Sequence, residues 1–199
     1  MRRRSFLYAL GVLAASATGI ASSALAAASR TVARGGRFLR PPGAEAEEDF
    51  LARCIRCGQC GEICPNQAIG YFGLENGWKS LDTPFIRPRE QACILCMKCG
   101  EVCPTGALRQ IPRTAEDILA NVRMGRARID KRLCLSYQGK TCGVCYRACP
   151  LPGISMTIGM LEQPTVHQAC IGCGLCERVC IQMPQAIRVF PLAEREARA

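Results

Sequence analysis

Histidine is almost absent from this chain of 199 residues, since His167 is its only histidine. A histidine-based acid–base pair or a catalytic triad would therefore have to rest on that one side chain. The chain also lacks a glycine-rich nucleotide-binding loop of either standard pattern. These absences argue against a catalytic pocket and against a flavin or nicotinamide cofactor. His167 is interpreted as a surface residue at a strand end, or as a hydrogen-bonding neighbour of the cysteines that follow it.

Cysteine is abundant, and all sixteen cysteines fall into four runs. Runs 1 and 2 share the spacing C-x-x-C-x-x-C-x-x-x-C-P, run 3 has a longer first gap, and run 4 ends without proline. The runs are Cys54, Cys57, Cys60 and Cys64 (run 1); Cys93, Cys96, Cys99 and Cys103 (run 2); Cys134, Cys142, Cys145 and Cys149 (run 3); and Cys170, Cys173, Cys176 and Cys180 (run 4). This spacing is typical of bacterial iron–sulfur proteins, so these sixteen cysteines are predicted to bind the iron of four [4Fe–4S] clusters.

Zinc sites and disulfide bonds are the alternatives for so many cysteines. A zinc ribbon uses two C-x-x-C pairs separated by a longer stretch, so the third and fourth cysteines of each run would be surplus. A crowded C-x-x-C-x-x-C segment offers few unstrained disulfide geometries. Four repetitions of the spacing therefore favour iron–sulfur clusters.

The spacing leaves open which runs share clusters. In two-cluster ferredoxins the fourth cysteine of a run belongs to the other cluster. If adjacent runs pair, Cys103 completes the ligand set of run 1 and Cys64 that of run 2. In the other scheme run 1 pairs with run 4 and run 2 with run 3, as in the four-cluster subunits of molybdopterin oxidoreductases. Both schemes give a chain of four closely packed clusters.

Short apolar segments flank the cysteine runs and predict a repeated unit of strand, ligand loop, single helical turn and strand. The predicted fold class is α+β, with tandem bacterial-ferredoxin-like modules. The predicted divisions are a signal peptide at 1–28, a linker at 29–50, a module with runs 1 and 2 at 51–112, a connecting helix at 113–126, a module with runs 3 and 4 at 127–190, and a tail at 191–199. Modules of this size rarely fold without metals or disulfides, so the clusters are expected to be structural as well.

One longer helix is predicted between runs 2 and 3. Thr114 suits its N-cap, Ile118 and Val122 belong to an apolar stripe, and Gly125 suits its end. We expect the stripe to pack on the modules. The only tryptophan, Trp78, lies in a predicted loop, where it either covers a cluster or contacts a partner.

Residues 1–28 are predicted to form a twin-arginine signal peptide. Arg2 and Arg3 begin it, an uncharged stretch runs from Ser5 to Ser29, and small residues lie near its end. A retained membrane anchor is the alternative, because the stretch is long enough to span a bilayer. Its many alanine, serine, threonine and glycine residues make it only weakly apolar. We therefore expect a periplasmic protein, at the periplasmic face of the inner membrane.

The formal net charge of +10 does not predict a nucleic-acid partner. The first arginines are removed with the predicted signal, and each oxidised [4Fe–4S] core with its four thiolates contributes about −2. The mature protein with its clusters is thus expected to be close to neutral. The basic side chains beside the ligands are interpreted as partners of cluster charge or as solvated surface: Arg53, Arg56, Lys98, Arg147 and Arg178.

The chain resembles the MauM/NapG family of ferredoxin-type proteins, which are encoded with methylamine utilisation and with periplasmic nitrate reductase. The resemblance covers nearly the whole chain. Besides the twin-arginine start, the matching segments are Leu39–Ala44, Cys57–Cys60, Cys134–Pro150 and Pro164–His167.

This resemblance implies an electron-transfer protein without a substrate site of its own. The implied partners are a polytopic membrane ferredoxin protein that oxidises quinol, a c-type cytochrome or periplasmic reductase that receives the electrons, and the twin-arginine export machinery. Two other functions stay open: an assembly factor for a periplasmic oxidoreductase, and an iron–sulfur subunit of a molybdopterin oxidoreductase complex. The nitrate-reductase and methylamine branches also both stay open.

Overall fold

The structure, a computed structural model, describes residues 38–192. The predicted signal peptide, the first part of the predicted linker and most of the predicted tail lie outside the described residues. The helices are α1 (Glu47–Arg53), α2 (Gln59–Glu62), α3 (Lys98–Glu101), α4 (Ala115–Asn121), α5 (Val144–Arg147) and α6 (Leu175–Arg178). The strands are β1 (Ile69–Tyr71), β2 (Pro84–Ile86), β3 (Arg126–Ile129), β4 (Met156–Ile158), β5 (Pro164–Val166) and β6 (Ile187–Phe190). Short 3₁₀ segments occupy Leu74–Asn76, Leu135–Gln138 and Met160–Glu162.

The strands form two-stranded antiparallel sheets, and these confirm the predicted α+β fold class. β1 pairs with β2, β4 with β5, and β3 with β6. Apolar residues alternate into the core along the longest pair, where Ile187 and Val189 of β6 are buried. Of the helices described between residues 38 and 192, none is long and apolar enough to cross a membrane.

Residues 38–44 differ from the prediction that they belong to a linker. Leu39 is 1% exposed and forms an antiparallel bridge with Ile86. Ala44 forms a second antiparallel bridge, with Leu108 after run 2. Through these isolated bridges the segment joins the start of the first module to its end, as the pairing of β3 with β6 does in the second module. Two adjacent prolines conceal this pairing in the sequence, because proline lacks the N–H donor of a regular ladder.

The connecting helix α4 begins where the sequence predicts. Thr114 is its N-cap, and its Oγ1 accepts a hydrogen bond of 3.1 Å from the backbone N–H of Asp117. The predicted end at Gly125 is wrong, because the chain already turns extended at Val122, with φ −97° and ψ 121°. The Val122 side chain is fully buried in the core just after the helix ends. Gly125 lies in close contact with Gly172.

Both modules contribute to one hydrophobic core. Its members include Leu39, Ile86 and Met97 from the first module, Val122 from α4, and Met156, Ile187 and Val189 from the second module. Cysteines of runs 2 and 4 belong to the same cluster of buried residues. The two modules are therefore packed against each other through the very regions that carry these two runs.

Hydrogen bonds fix this junction between the modules. The backbone N–H of Cys93 donates to the carbonyl of Cys173, and that of Met124 donates to the carbonyl of Ile171, both at 3.0 Å. The guanidinium of Arg89 donates to carbonyls at the end of α6, at 2.9 Å for Arg178 and 3.0 Å for Cys180. Bonds to orphan helix-end carbonyls of this kind hold run 4 in register with run 2.

Gly172 closely approaches the segment that connects the modules. Its φ is +77°, and a Cβ atom there would lie 2.5 Å from the backbone of Gly125. We expect Gly172→Ala to lower the thermal midpoint of the protein with its clusters. Backbone strain alone contributes roughly 1–3 kcal/mol, and the contact adds to it because the facing atoms are backbone.

Gly106→Ala is the matched control for this prediction. Gly106 has a φ of +68°, but apart from its chain neighbours nothing lies within 4 Å of the position that a Cβ atom would take there. This variant therefore carries the backbone strain without the collision. Equal losses of thermal stability in the two variants would show that the close approach at Gly172 contributes nothing.

Candidate iron–sulfur centres

The sixteen cysteines line four separate cavities, with four cysteines in each. Every set combines the first three cysteines of one run with the fourth cysteine of the neighbouring run. The sets are Cys54, Cys57, Cys60 and Cys103 (site 1); Cys64, Cys93, Cys96 and Cys99 (site 2); Cys134, Cys142, Cys145 and Cys180 (site 3); and Cys149, Cys170, Cys173 and Cys176 (site 4). This grouping is that of the adjacent-run scheme. None of the sixteen cysteines, all of which lie in the described part of the chain, forms a disulfide.

A left-handed residue stands between the second and third cysteine of each run. It is Gly58 in run 1 (φ 78°), Met97 in run 2 (φ 62°), Gly143 in run 3 (φ 55°) and Gly174 in run 4 (φ 88°). Each is the N-cap of a helical turn, so it reverses the loop and lets three thiols face one cavity. Glycine adopts this conformation without strain. Met97 is only 2% exposed, and its packing in the shared core opposes the strain at this position.

Backbone N–H groups donate to three of the cysteine sulfur atoms at 3.4 Å. The pairs are Ala68 with Cys64, Leu95 with Cys93, and Leu108 with Cys103. Such bonds stabilise thiolate ligands and raise the reduction potential of a bound cluster. They are the expected surroundings of iron–sulfur ligands.

Burial dominates the electrostatics of sites 2, 3 and 4. It raises the pKa of Cys99 and of Cys173 to about 12, and that of Cys145 to about 11. Cys103 differs, since burial raises its pKa but the backbone N–H of Leu108 and further nearby donors lower it overall. Thiolate is the form that binds metal. The buried thiols therefore need a cationic group in the cavity to be held as thiolates.

The donor set fits [4Fe–4S] clusters better than single metal ions. Within residues 38–192, no group of three or more His, Cys, Asp or Glu side chains is placed to hold one metal ion. Zinc would need four ligands at about 2.0–2.3 Å from one point. A [4Fe–4S] cluster instead takes four thiolates from around a cavity, one for each iron. Four thiols around each cavity, with N–H donors to sulfur, match that requirement.

Tyr71 contributes to site 1, although nothing in the sequence singles it out. Its hydroxyl donates to the carbonyl of Gly58 at 2.6 Å and accepts from the N–H of Gly61 at 3.1 Å. Burial raises the pKa of Tyr71 to about 12, so the hydroxyl stays protonated and able to donate. It clamps the ligand loop of run 1. An aromatic residue in a short strand carries no sequence signal for this role.

Basic side chains beside the ligands hold loops together. Arg56 donates to the carbonyl of Leu81 at 2.9 Å, and Arg147 donates to Glu162 at 2.7 Å and to the carbonyl of Cys142. Arg178 likewise donates to a backbone carbonyl of the first module. These three arginines therefore brace the ligand loops, a role that the sequence did not indicate in addition to partnering cluster charge or forming solvated surface.

The two single aromatic residues noted in the sequence lie apart from the cavities. Trp78 is 79% exposed, so it covers no cluster site. Of its two predicted roles, only contact with a partner remains. The Nε2 atom of His167 lies 2.8 Å from Oγ1 of Thr157 on the paired strand. This bond ties His167 to the β4–β5 hairpin.

Tandem modules with four-cysteine cavities define the class: this is a ferredoxin-type iron–sulfur protein, and such proteins transfer electrons. The family model of the 4Fe-4S dicluster domain matches residues 53–107 and 92–153, and that of a 4Fe-4S binding domain matches residues 167–180. The second dicluster match covers runs 2 and 3, whereas the cavities join run 3 with run 4. The repeated spacing accounts for this difference, because any two successive runs resemble a dicluster pair.

Relatives from several bacteria assign the chain to one family within this class. Ferredoxin-type protein NapG of Escherichia coli (strain K12) is 38% identical over 85% of this chain and 78% of its own length. Methylamine utilization ferredoxin-type protein MauM is 39% identical in Methylorubrum extorquens, over 91% of this chain and 86% of the relative. MauM of Paracoccus denitrificans is 40% identical, over 89% of this chain and 84% of its own length. The chain therefore belongs to the NapG/MauM family of ferredoxin-type proteins.

Proposed function

We propose that the protein binds four [4Fe–4S] clusters, one at each of sites 1–4, and conducts electrons through them without a substrate site of its own. The observation that carries the proposal is the division of sixteen cysteines into four cavities of four. The sixteen cysteines would hold the clusters, and each bound cluster would supply one-electron exchange. The scarcity of histidine and the missing nucleotide loop are in keeping with a carrier.

The proposed order of the sites along the electron path is 1, 2, 4 and 3. Sites 1 and 2 share the cysteines of runs 1 and 2, and sites 3 and 4 share those of runs 3 and 4. The junction between modules joins Cys93 of site 2 to Cys173 of site 4 through a hydrogen bond of 3.0 Å. The four buried cysteines all belong to sites 2 and 4: Cys93, Cys99, Cys173 and Cys176. Sites 1 and 3 are thus the ends at which electrons enter and leave.

The proposed setting is the periplasm, at the periplasmic face of the inner membrane, after export by the twin-arginine machinery. Arg2 and Arg3 with the uncharged stretch after them support this location. The proposed partners are a polytopic membrane protein that oxidises quinol and a c-type cytochrome or periplasmic reductase. Support for them comes from the family alone, whose members include ferredoxin-type protein NapG and the methylamine utilization protein MauM.

Iron and sulfide analysis of protein purified under anaerobic conditions tests the proposed cofactor content. We expect about sixteen atoms of each per chain, with paramagnetic signals on reduction, because each cluster holds four iron and four sulfide. About eight of each would contradict four clusters, and zinc in their place would end the proposal. The same preparation should show reversible reduction through several cycles, as a carrier requires.

Membranes that lack this chain distinguish electron transfer from a role in assembly. A terminal reductase assembled beforehand in the presence of the chain is supplied to such membranes, and its rate with quinol is measured. We expect that rate to fall and to return when the purified protein is added. A normal rate without the chain would contradict electron transfer and favour the assembly function.

A further inference from the structure

Run 3 contains an insertion that cluster binding does not require. Seven residues separate Cys134 from Cys142, where the other runs place two residues between their first cysteines. The inserted residues form the 3₁₀ segment Leu135–Gln138 and a turn at Gly139. They pack against the start of β5, since the hydroxyl of Tyr137 donates to the carbonyl of Pro164, the first residue of that strand, at 3.0 Å. The insertion is thus an ordered part of the surface at site 3.

An apolar tip stands beside this insertion. Met160 is 84% exposed and Leu161 is 44% exposed, although both side chains are large and apolar. Leu161 and Glu162 have φ values of 54° and 56°, in the left-handed region that bulky residues rarely occupy. Arg147 holds the tip by a 2.7 Å bond to Glu162 and also donates to the carbonyl of Cys142. The strained tip is therefore fixed directly to the ligand loop of site 3.

Basic residues lie in the insertion and just before run 3. Lys131, Arg132 and Lys140 are exposed, and Nζ of Lys131 lies 5.1 Å from the ring centroid of Tyr137 in the insertion. Of the carboxylates on this face, Asp130 lies 3.7 Å from Arg132 and Glu162 is paired with Arg147. Among residues 38–192, Lys131 and Lys140 have no carboxylate partner. The surface at site 3 thus combines exposed apolar side chains with unpaired cations.

We propose that Lys131, Lys140, Met160 and Leu161 form a docking surface for a redox protein whose cofactor edge is apolar and surrounded by carboxylates. The proposal rests on the proposed function, in which site 3 is one end of the electron path. Met160 and Leu161 supply buried contact area, and the lysines select and steer an acidic partner. A protein suits the surface better than a lipid bilayer, because the tip is small and lies against a cluster ligand loop.

Titration with an acidic redox protein tests this surface. The probe is cytochrome c with succinylated lysines, and the protein carries its clusters, with both proteins oxidised and at low ionic strength. We expect the dissociation constant to rise about tenfold in Lys131→Glu/Lys140→Glu, through lost attraction, and by a similar factor in Met160→Ser/Leu161→Ser, through lost apolar contact. Unmodified, basic cytochrome c should bind the charge-reversed variant more tightly than the native protein.

Variants at the other end of the molecule provide the control. Lys79→Glu and Leu74→Ser change an exposed cation and an exposed apolar side chain in the loop between β1 and β2, and we expect less than a twofold change in affinity for the same probe. If the control variants lose as much affinity as the two site 3 double variants, the proposal is wrong. It is also wrong if both site 3 double variants bind the probe as the native protein does. Iron and paramagnetic signals are measured on every variant. Intact clusters with unchanged binding would overturn the docking surface alone, whereas a wrong cluster count would overturn the proposed function.

Two further measurements test whether the surface instead binds a membrane or a second copy of the chain. Binding to phosphatidylglycerol vesicles should be the same for the native protein and for Lys131→Glu/Lys140→Glu. If vesicle binding falls in this variant while its affinity for the acidic cytochrome is unchanged, the surface binds membrane and the proposal is wrong. A native dimer that dissociates in Met160→Ser/Leu161→Ser, seen by sedimentation equilibrium, would instead assign the tip to a second copy of the chain.

Discussion

Removing iron and inorganic sulfide from the native protein is expected to abolish cooperative thermal unfolding. The reason is that Cys93, Cys173 and Cys176 belong to the shared hydrophobic core, so sites 2 and 4 occupy the centre of the molecule. Binding at a structural metal site contributes on the order of 10 kcal/mol, and a whole domain is stable by only about 5–15 kcal/mol. Without clusters, cavities lined by thiols would replace the packed centre. The strands, three or four residues long, cannot hold a fold by themselves.

Circular dichroism and calorimetry under anaerobic, reducing conditions measure this effect. One sample is treated with chelator and freed of iron and sulfide, and a second is treated identically and then rebuilt with both. The rebuilt sample should recover the native transition, which shows that the chelator itself does no damage. A sample given zinc alone should not recover the native unfolding transition, because the four cysteines of each set are not placed to bind one metal ion. A cooperative, native-like transition in the iron-free protein would refute the structural role of the clusters.

The convergence of three cysteines of each run on one cavity was predictable from the sequence, because the cysteine spacing is a local property of the chain. Three thiols in C-x-x-C-x-x-C can face one cavity once the loop between them reverses, and each run contains a left-handed residue that does so. The short strands were also predictable, since apolar pairs such as Ile187 and Val189 flank the runs. These features depend on few neighbours, and local chemistry is enough to specify them.

The grouping of cysteines from different runs around one cavity was not predictable, because the spacing within the four runs is nearly the same. It depends on long-range pairing: β3 lies beside β6, and the bridge between Ala44 and Leu108 closes the first module in the same way. The bridged segment at residues 38–44 resembles a linker in the sequence because its prolines remove the regular pattern. The tip at Leu161 is a second example. Leu161, a large residue, has a φ of 54°, and the next residue, Glu162, is bonded to Arg147, a partner distant in the sequence that no local pattern contains.

Cys64→Ala is expected to remove the cluster of run 2 while leaving that of run 1. Cys64 belongs to run 1 by sequence but lines the cavity of Cys93, Cys96 and Cys99. Its own run neighbours line another cavity, together with Cys103. Iron content should therefore fall from about sixteen to about twelve atoms per chain, since one [4Fe–4S] cluster holds four. Iron and sulfide analysis, with paramagnetic signals on reduction, measures the change.

Two double variants decide whether Cys64 acts with run 1 or with run 2. If Cys64 and Cys96 serve the same cluster, Cys64→Ala/Cys96→Ala should retain about twelve iron atoms, no fewer than either single variant. Cys64→Ala/Cys57→Ala should retain only about eight, because it damages two clusters. The opposite result, with about eight atoms in the first double variant and about twelve in the second, would assign Cys64 to the cluster of its own run. Both doubles carry the same number of substitutions of the same kind, so a difference between them reports ligand grouping and not a general loss of stability. Since Cys64 and Cys57 are only seven residues apart in the sequence, two lost clusters in that variant would be direct support for a fold in which each run divides its cysteines between neighbouring sites.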